Sequence, residues 1–354
     1  MRKWMAVLAA GMMIAAPVAA QQVGAPVGAK AGKPYRFKHS GITAPAELDG
    51  MKRVDVRQLG DDELDVFAVY QDGPDAINVY VYRTLSGSVP VWFDRARASI
   101  EQRKEMFGNV APVVPTAFTP PGQSSASGLM AGWTLTKAPY RGTALAILPV
   151  GEWLVKVRYS STKLDGATVA ARIPAVLGAL EWPKAIPAAP AAAPVTDCTT
   201  PLAFAANAAP VTDANALQTA ALTGGLVAAA EGEKRTGAAA TPATWCRDPA
   251  PAQVGAAYRR DGATDGYLLA ISDSGRGFAV EPDVIAREVG ESEGRKVAQW
   301  SVALYEPGSI AIYAPMTALP APDTLIAALN RPILARTTTW GKKRNVTINP
   351  EFFK

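Results

Sequence analysis

Histidine and cysteine are almost missing from this chain. Its 354 residues hold one histidine, His39, and two cysteines, Cys198 and Cys246. One imidazole excludes any site that needs two, and it argues against a typical zinc centre, whose ligands are drawn mainly from several His and Cys side chains. A Ser–His–Asp arrangement would have to use His39. That residue precedes the first clear strand, so it reads as a surface histidine. No Gly-x-Ser-x-Gly elbow occurs, and no glycine loop ends in Gly-Lys-Ser/Thr. Long apolar runs are also lacking after residue 20, so the mature chain carries no sequence signal for a membrane-spanning helix. On these grounds no residue is assigned as catalytic, cofactor-binding or metal-ligating, and no cofactor is expected.

Some short patterns match chemistry by letter only. Ser160-Ser161-Thr162-Lys163 has Ser-x-x-Lys spacing, but it falls at the end of a strand, and that chemistry needs a helix start. Ser272–Gly277 is small and flexible enough to cradle an anion, yet its glycines do not open a helix directly, so it reads as a turn between strands. Asp61, Asp62, Glu63 and Asp65 lack the spacing of a calcium loop and read as a solvated acidic turn. Asn345-Val346-Thr347 matches a glycosylation acceptor by letter only.

What is present is apolar. Hydrophobic residues make up 49% and charged residues 19%, enough to build cores, and 30 glycines with 29 prolines imply many turns. Met1–Ala20 reads as a secretory signal. Arg2 and Lys3 precede the apolar run Met5–Ala16, and Val18-Ala19-Ala20 supplies small residues before Gln21. The expectation is export to the periplasm or beyond, with cleavage near Ala20. Net charge is 36 − 31 = +5, or 34 − 31 = +3 without Arg2 and Lys3, too little for a dedicated nucleic-acid binder. In an oxidising compartment Cys198 and Cys246 are expected to pair. Trp245 is expected to pack over that disulfide.

The stretch Thr143–Leu180 has the clearest pattern. Thr143–Leu148 is a buried strand, and Pro149-Val150-Gly151-Glu152 is a turn. Trp153, Val155, Val157 and Tyr159 then alternate with Leu154, Lys156, Arg158 and Ser160, giving one apolar face and one mostly basic, wet face. Asp165-Gly166 opens a helix striped by Ala170, Ile173, Leu177 and Leu180, which Pro174 is expected to kink or divide. Upstream, Val54–Leu59 reads as a strand, and Asp65–Gln71 with Ala76–Arg83 as a hairpin. Ser88 caps a helix striped by Trp92, Ala96, Ile100 and Phe107 that ends at Gly108. Val110–Ser127 is loop and Leu129–Lys137 a strand. Trp92, Trp133, Trp153 and Trp300 sit at core spacing.

The helix WFDRARASIEQR (Trp92–Arg103) after a hairpin, and the strand LVKVRYSST (Leu154–Thr162) running into IPAVLGALEW (Ile173–Trp182), resemble the PsbP/Mog1-like α/β/α sandwich over residues 35–183. The resemblance is architectural and carries no diagnostic motif. It implies a non-catalytic binding or assembly role, because that group is mostly of this kind.

Residues 184–197, with IPAAPAAAP at Ile186–Pro194, read as a stiff linker. In residues 198–334, Thr212 or Asp213 caps a helix that Gly224-Gly225 interrupts, and Glu231–Ala240 reads as a loop. Tyr267–Ile271 and Phe278–Val280 are strands, and Pro282–Val289 a short helix. Trp300–Tyr305 and Ile310–Ala314 repeat the strand–turn–strand order before a helix at Pro322. This fits either an internal duplication or a common unit met twice. Residues 335–354 read as a basic tail, and 21–34 as a flexible lead-in. The expected fold is α+β, two domains each built as an antiparallel sheet with helices packed on it.

Function is expected to reside in surfaces. The leading expectation is a non-enzymatic exported protein that binds an envelope protein or a small ligand. Two alternatives stand beside it: a periplasmic hydrolase whose groups meet only in space, and a surface-associated protein held by its basic C-terminal tail.

Overall fold

Strand alternation and tight Gly/Pro turns set the N-terminal half of this computed structural model, which describes residues 24–60, 62–234, 243–250, 252–292, 294, 296–328, 330, 332–342 and 345–353. The expected signal, Met1–Ala20, lies outside those residues, as do Asp61 and residues 235–240 of the loop expected at Glu231–Ala240, whose first four residues are helical instead. Short segments come first: β1 (Ala25–Pro26), β2 (Tyr35–Arg36), β3 (Thr43–Ala44) and β4 (Glu47–Leu48). The long strands β5 (Met51–Gln58), β6 (Asp65–Asp72) and β7 (Asp75–Arg83) follow. Helices α1 (Val89–Glu101) and α2 (Lys104–Phe107) lead to β8 (Thr116–Phe118), β9 (Gly128–Thr134), β10 (Gly142–Val150), β11 (Trp153–Ser161) and α3 (Gly166–Gly178).

Apart from β2 and β3, which pair with each other, these strands form one antiparallel sheet in the order β1-β5-β6-β7-β11-β10-β9-β8, with β4 beside β5. The lead-in is therefore not free: β1 pairs with β5, and Arg53 holds the carbonyls of Lys30 and Lys33. The expected hairpin is in place, the single helix expected from Ser88 to Gly108 is broken at Gln102–Arg103 into α1 and α2, and the loop after Val110 contributes β8. Because successive side chains face opposite ways, each strand feeds two cores. Tyr70, Val79, Val155 and Val157 lie under α3, and Leu129, Trp133, Leu145 and Leu154 lie under α1. That explains why Thr143–Leu148 is apolar without alternation: both of its faces are buried.

Pro174 does not divide α3, which runs unbroken through it. A helix-interior proline costs about 3 kcal/mol. Burial of Val169, Ile173, Val176 and Leu177 on the sheet, at about 1.5–3 kcal/mol each, outweighs it. The helix lies so close to β9 that two glycines face each other. A Cβ on Gly132 would land on the Gly166 carbonyl oxygen, and one on Gly166 would land on the Trp133 backbone.

The C-terminal half comprises β12 (Thr196–Asp197), α4 (Ala214–Lys234), β13 (Trp245–Arg247), β14 (Ala256–Arg260), β15 (Tyr267–Ala270) and β16 (Gly277–Pro282). Then come α5 (Val284–Ser292), β17 (Trp300–Glu306), β18 (Ser309–Met316), α6 (Pro322–Ala328), β19 (Ala335–Thr338) and β20 (Val346–Ile348), before a closing 3-10 turn at Pro350–Phe353. Its nine strands lie side by side in chain order, all antiparallel except the β12–β13 pair. The architecture is α+β with two nine-stranded sheets, one per half, besides the two-stranded β2–β3 pair.

Two sequence expectations change here. Asp213 does cap α4, accepting from the Ala216 amide at 2.9 Å, but Gly224-Gly225 does not interrupt the helix. The glycines let it settle on the sheet: a Cβ on Gly224 would stand 2.9 Å from Ile312, and one on Gly225 2.8 Å from Val346. The stretch expected as a basic tail supplies β19 and β20. Ala335, Thr337 and Thr339 are buried, and Trp340 packs on Trp153 and His39.

The face of β11 carrying Lys156 and Arg158, expected to be wet, is turned toward the other half instead. Lys156 is buried, its Nζ 3.0 Å from Asp273 and 4.4 Å above the Tyr80 ring. Arg158 stacks its guanidinium over Phe107. Around them Tyr258, Leu268 and Ala270 of the second sheet join the core that holds Trp92, Phe93 and Trp133. The linker is strapped to the first half, with Ala192 donating to Ala126 and Ser125 to Ala189.

Candidate ligand groove

Strand pairing places Tyr258, Leu268, Ala279, Ala303 and Ile312 on one face of the second sheet, since directly paired residues share a face. That face is covered at its two ends by different things. At the β14–β15 end, Tyr258 and Leu268 pack on the N-terminal half. At the β18–β19 end, Ile310, Ile312 and Ala335 pack under Leu217, Ala220 and Ala221 of α4. Between the ends, Ala279 and Ala303 are only partly buried. Here α4 and α5, which also touch each other, line an open cavity of about 160 Å³.

The floor is built from small side chains, Ala279, Ser301 and Ala303, with Tyr305 beside them. Gly224 and Val227 come from α4, and Val284 and Ile285 from α5. Val227 is 44% exposed and Val284 48% exposed, which marks them as apolar walls facing solvent. Glu281 and Asp283 lie at the rim. Asp283 is engaged as the cap of α5, accepting from the Ala286 amide at 2.9 Å. The lining is therefore apolar with a few hydroxyl groups, chemistry suited to holding a small apolar body and fixing one polar end.

The residues that the sequence singled out lie elsewhere and do not converge. His39 Nε2 meets the Asp62 carbonyl oxygen at 3.0 Å, and its ring lies between Trp153 and Trp340. Ser160 bonds the Thr143 hydroxyl, whereas Lys163 reaches out to Asp72 at 3.7 Å. The acidic turn disperses. Glu63 accepts from Tyr35, and Asp65 is buried and paired with Arg276 at 2.8 Å. No group of three metal-capable side chains occurs among the described residues. The Ser272–Gly277 turn is a contact between the halves: Asp273 meets Lys156, and Arg276 meets Asp65. Trp92, Trp133 and Trp153 are core, while Trp300 is half-buried and donates to the Asp265 carbonyl.

Cys198 and Cys246 are joined as expected. Trp245 is not packed over them. Neighbours on a strand point to opposite faces, so Trp245 turns to the Trp92 core and Cys246 turns away from it. The groove had one trace in the sequence. Along Trp300–Tyr305 the bulky residues Trp300, Val302 and Leu304 alternate with Ser301 and Ala303, and this small side is the floor.

Among the described residues no helix is long and apolar enough to cross a membrane. Comparison with protein-family models, with curated proteins and with solved structures returns no match for this chain.

Proposed function

We propose that this is an exported protein that works by binding, and that the groove between α4 and α5 holds a small apolar group of the size of an aromatic ring or a short acyl chain. The observation that carries this reading is the open cavity over the partly covered small residues Ala279 and Ala303, lined by α4 and α5. A cavity of about 150 Å³ lined by apolar side chains takes up benzene, and this one has about 160 Å³. Export is supported by the composition of Met1–Ala20 and by the disulfide. A PsbP/Mog1-like N-terminal half is supported by its three layers, with α1 and α3 on opposite faces of one sheet. In this reading that half is the rigid support for the second sheet.

The test uses chain from Gln21 onward, titrated with indole, toluene and C4–C8 carboxylic acids by ligand-observed NMR. Saturable binding that is lost in Ala303→Trp, which fills the floor, is the expected result. Equal binding by the parent and Ala303→Trp, or no binding by any of these probes, removes the proposal.

A further inference from the structure

The disulfide has a charged neighbour. Arg259 on β14 is the cross-strand partner of Cys246, and its Nε donates to Cys198 Sγ at 3.1 Å. Arg259 is only 4% exposed. The nearest carboxylate, Asp248, lies 3.7 Å from Arg259 Nε and accepts from the amides of Leu202 and Ala250 as well. Arg259 Nε is thus directed at sulfur. The two sulfurs differ in access: Cys198 is 8% exposed, while Cys246 is more open.

We propose that this bridge is a redox-active thiol-exchange site, opened by an incoming thiolate at Cys246 with Cys198 as the leaving group. The attacking thiolate forms a new S–S bond to Cys246 Sγ. The Cys198–Cys246 bond breaks, and its electron pair goes to Cys198 Sγ as a thiolate held by the Arg259 guanidinium. A second thiol of the reductant resolves the mixed disulfide. It leaves Cys246 as a thiol and the reductant as a disulfide, so two electrons pass from reductant to protein. Exchange rates rise as the leaving thiol's pKa falls, and an arginine beside a cysteine lowers that pKa. The partner class is a small thiol or a dithiol oxidoreductase. Opening the bridge frees the linker end at Thr196–Cys198 from β13, to which it is held by one short parallel pairing.

The folded chain is incubated with millimolar reduced glutathione, acid-quenched and mapped by peptide mass spectrometry. Glutathione on Cys246 with a free Cys198 is expected. Separately, Cys246→Ala leaves Cys198 as a lone thiol whose ionisation is followed by thiolate absorbance at 240 nm. Its midpoint is expected at least one pH unit, tenfold in ionisation, below the ordinary thiol value of about 8.5. Adding Arg259→Met is expected to restore that value. If Arg259→Met does not fold, the glutathione map and the Cys246→Ala titration decide alone. A bridge that resists glutathione in the folded chain, glutathione found on Cys198, or an ordinary Cys198 midpoint each overturns the proposal.

Discussion

Arg276 of the second sheet donates to the buried carboxylate of Asp65 in the first, across 2.8 Å of space and 211 residues of chain. Its other nitrogen holds the Leu59 carbonyl oxygen at 3.0 Å. Removing one partner of a buried pair strands the other, at a cost of about 3–5 kcal/mol. Arg276→Met should lose stability of that order in urea unfolding. The double variant Asp65→Asn/Arg276→Met should regain part of it, because no charge is then left buried.

Asp65 also sets a pH dependence of unusual sign. Burial pushes its carboxyl above the ordinary carboxylate range, and Arg276 offsets this only in part. The folded state therefore holds this proton at pH values where the unfolded chain has released it. Its contribution is fully present below the unfolded pKa of about 3.9 and is lost as pH rises through the folded value. The stability difference between the parent and Asp65→Asn should shrink as pH is raised from about 4, as read by denaturation at a series of pH values.

Asp75 should behave in the opposite way. Burial raises its carboxyl, but the Thr162 hydroxyl and amide and the Ser161 hydroxyl, all donating at 2.7 Å, more than compensate and hold it low. Its contribution is present above the unfolded pKa and is lost as pH falls through the folded one. The same denaturation series should show the advantage of the parent over Asp75→Asn fading below about pH 4. At neutral pH, Asp75→Asn should cost about 1.5–3 kcal/mol, the range for a hydrogen bond to a charged group.

Gly132→Ala tests the close seating of α3. The new methyl has no room against the Gly166 backbone, so helix and sheet must move apart. A loss of about 1–3 kcal/mol or more is expected in thermal or chemical unfolding. The secondary structure seen by circular dichroism should be unchanged.

The two sheets should unfold together. Trp92, fully buried, donates to the Ser86 carbonyl, and its core includes Tyr258 and Leu268 of the other half. Calorimetry should show one transition, and Trp92→Ala should lower it by about 3–5 kcal/mol of stability. Two separate transitions, only one of them moved by this substitution, would mean that the shared core does not couple the halves.

Much of the architecture was legible locally. The hairpin at Asp65–Arg83, the helix after Ser88 and the Thr143–Leu180 unit all follow from period-two and period-three-to-four apolar spacing, which depends only on nearby residues. Pro174, Gly224-Gly225 and Lys156 depart from their intrinsic preferences for one reason: packing against a distant element prevails over local propensity. Residues 335–354 were too sparsely apolar to signal strands, yet an existing sheet edge at β18 recruits β19, and β19 recruits β20.

By itself the sequence determined that helices would pack on antiparallel sheets, that the chain is poor in reactive side chains, and that its two cysteines had only each other as partners. Tertiary structure alone decided that the basic face of β11 is buried, that α4 and α5 line a cavity over a strip of small residues, and that Arg259 points at Cys198. The reason is one of range. Local spacing fixes which face of an element is apolar, while the identity of what covers that face, or leaves it bare, depends on residues a hundred or more positions away.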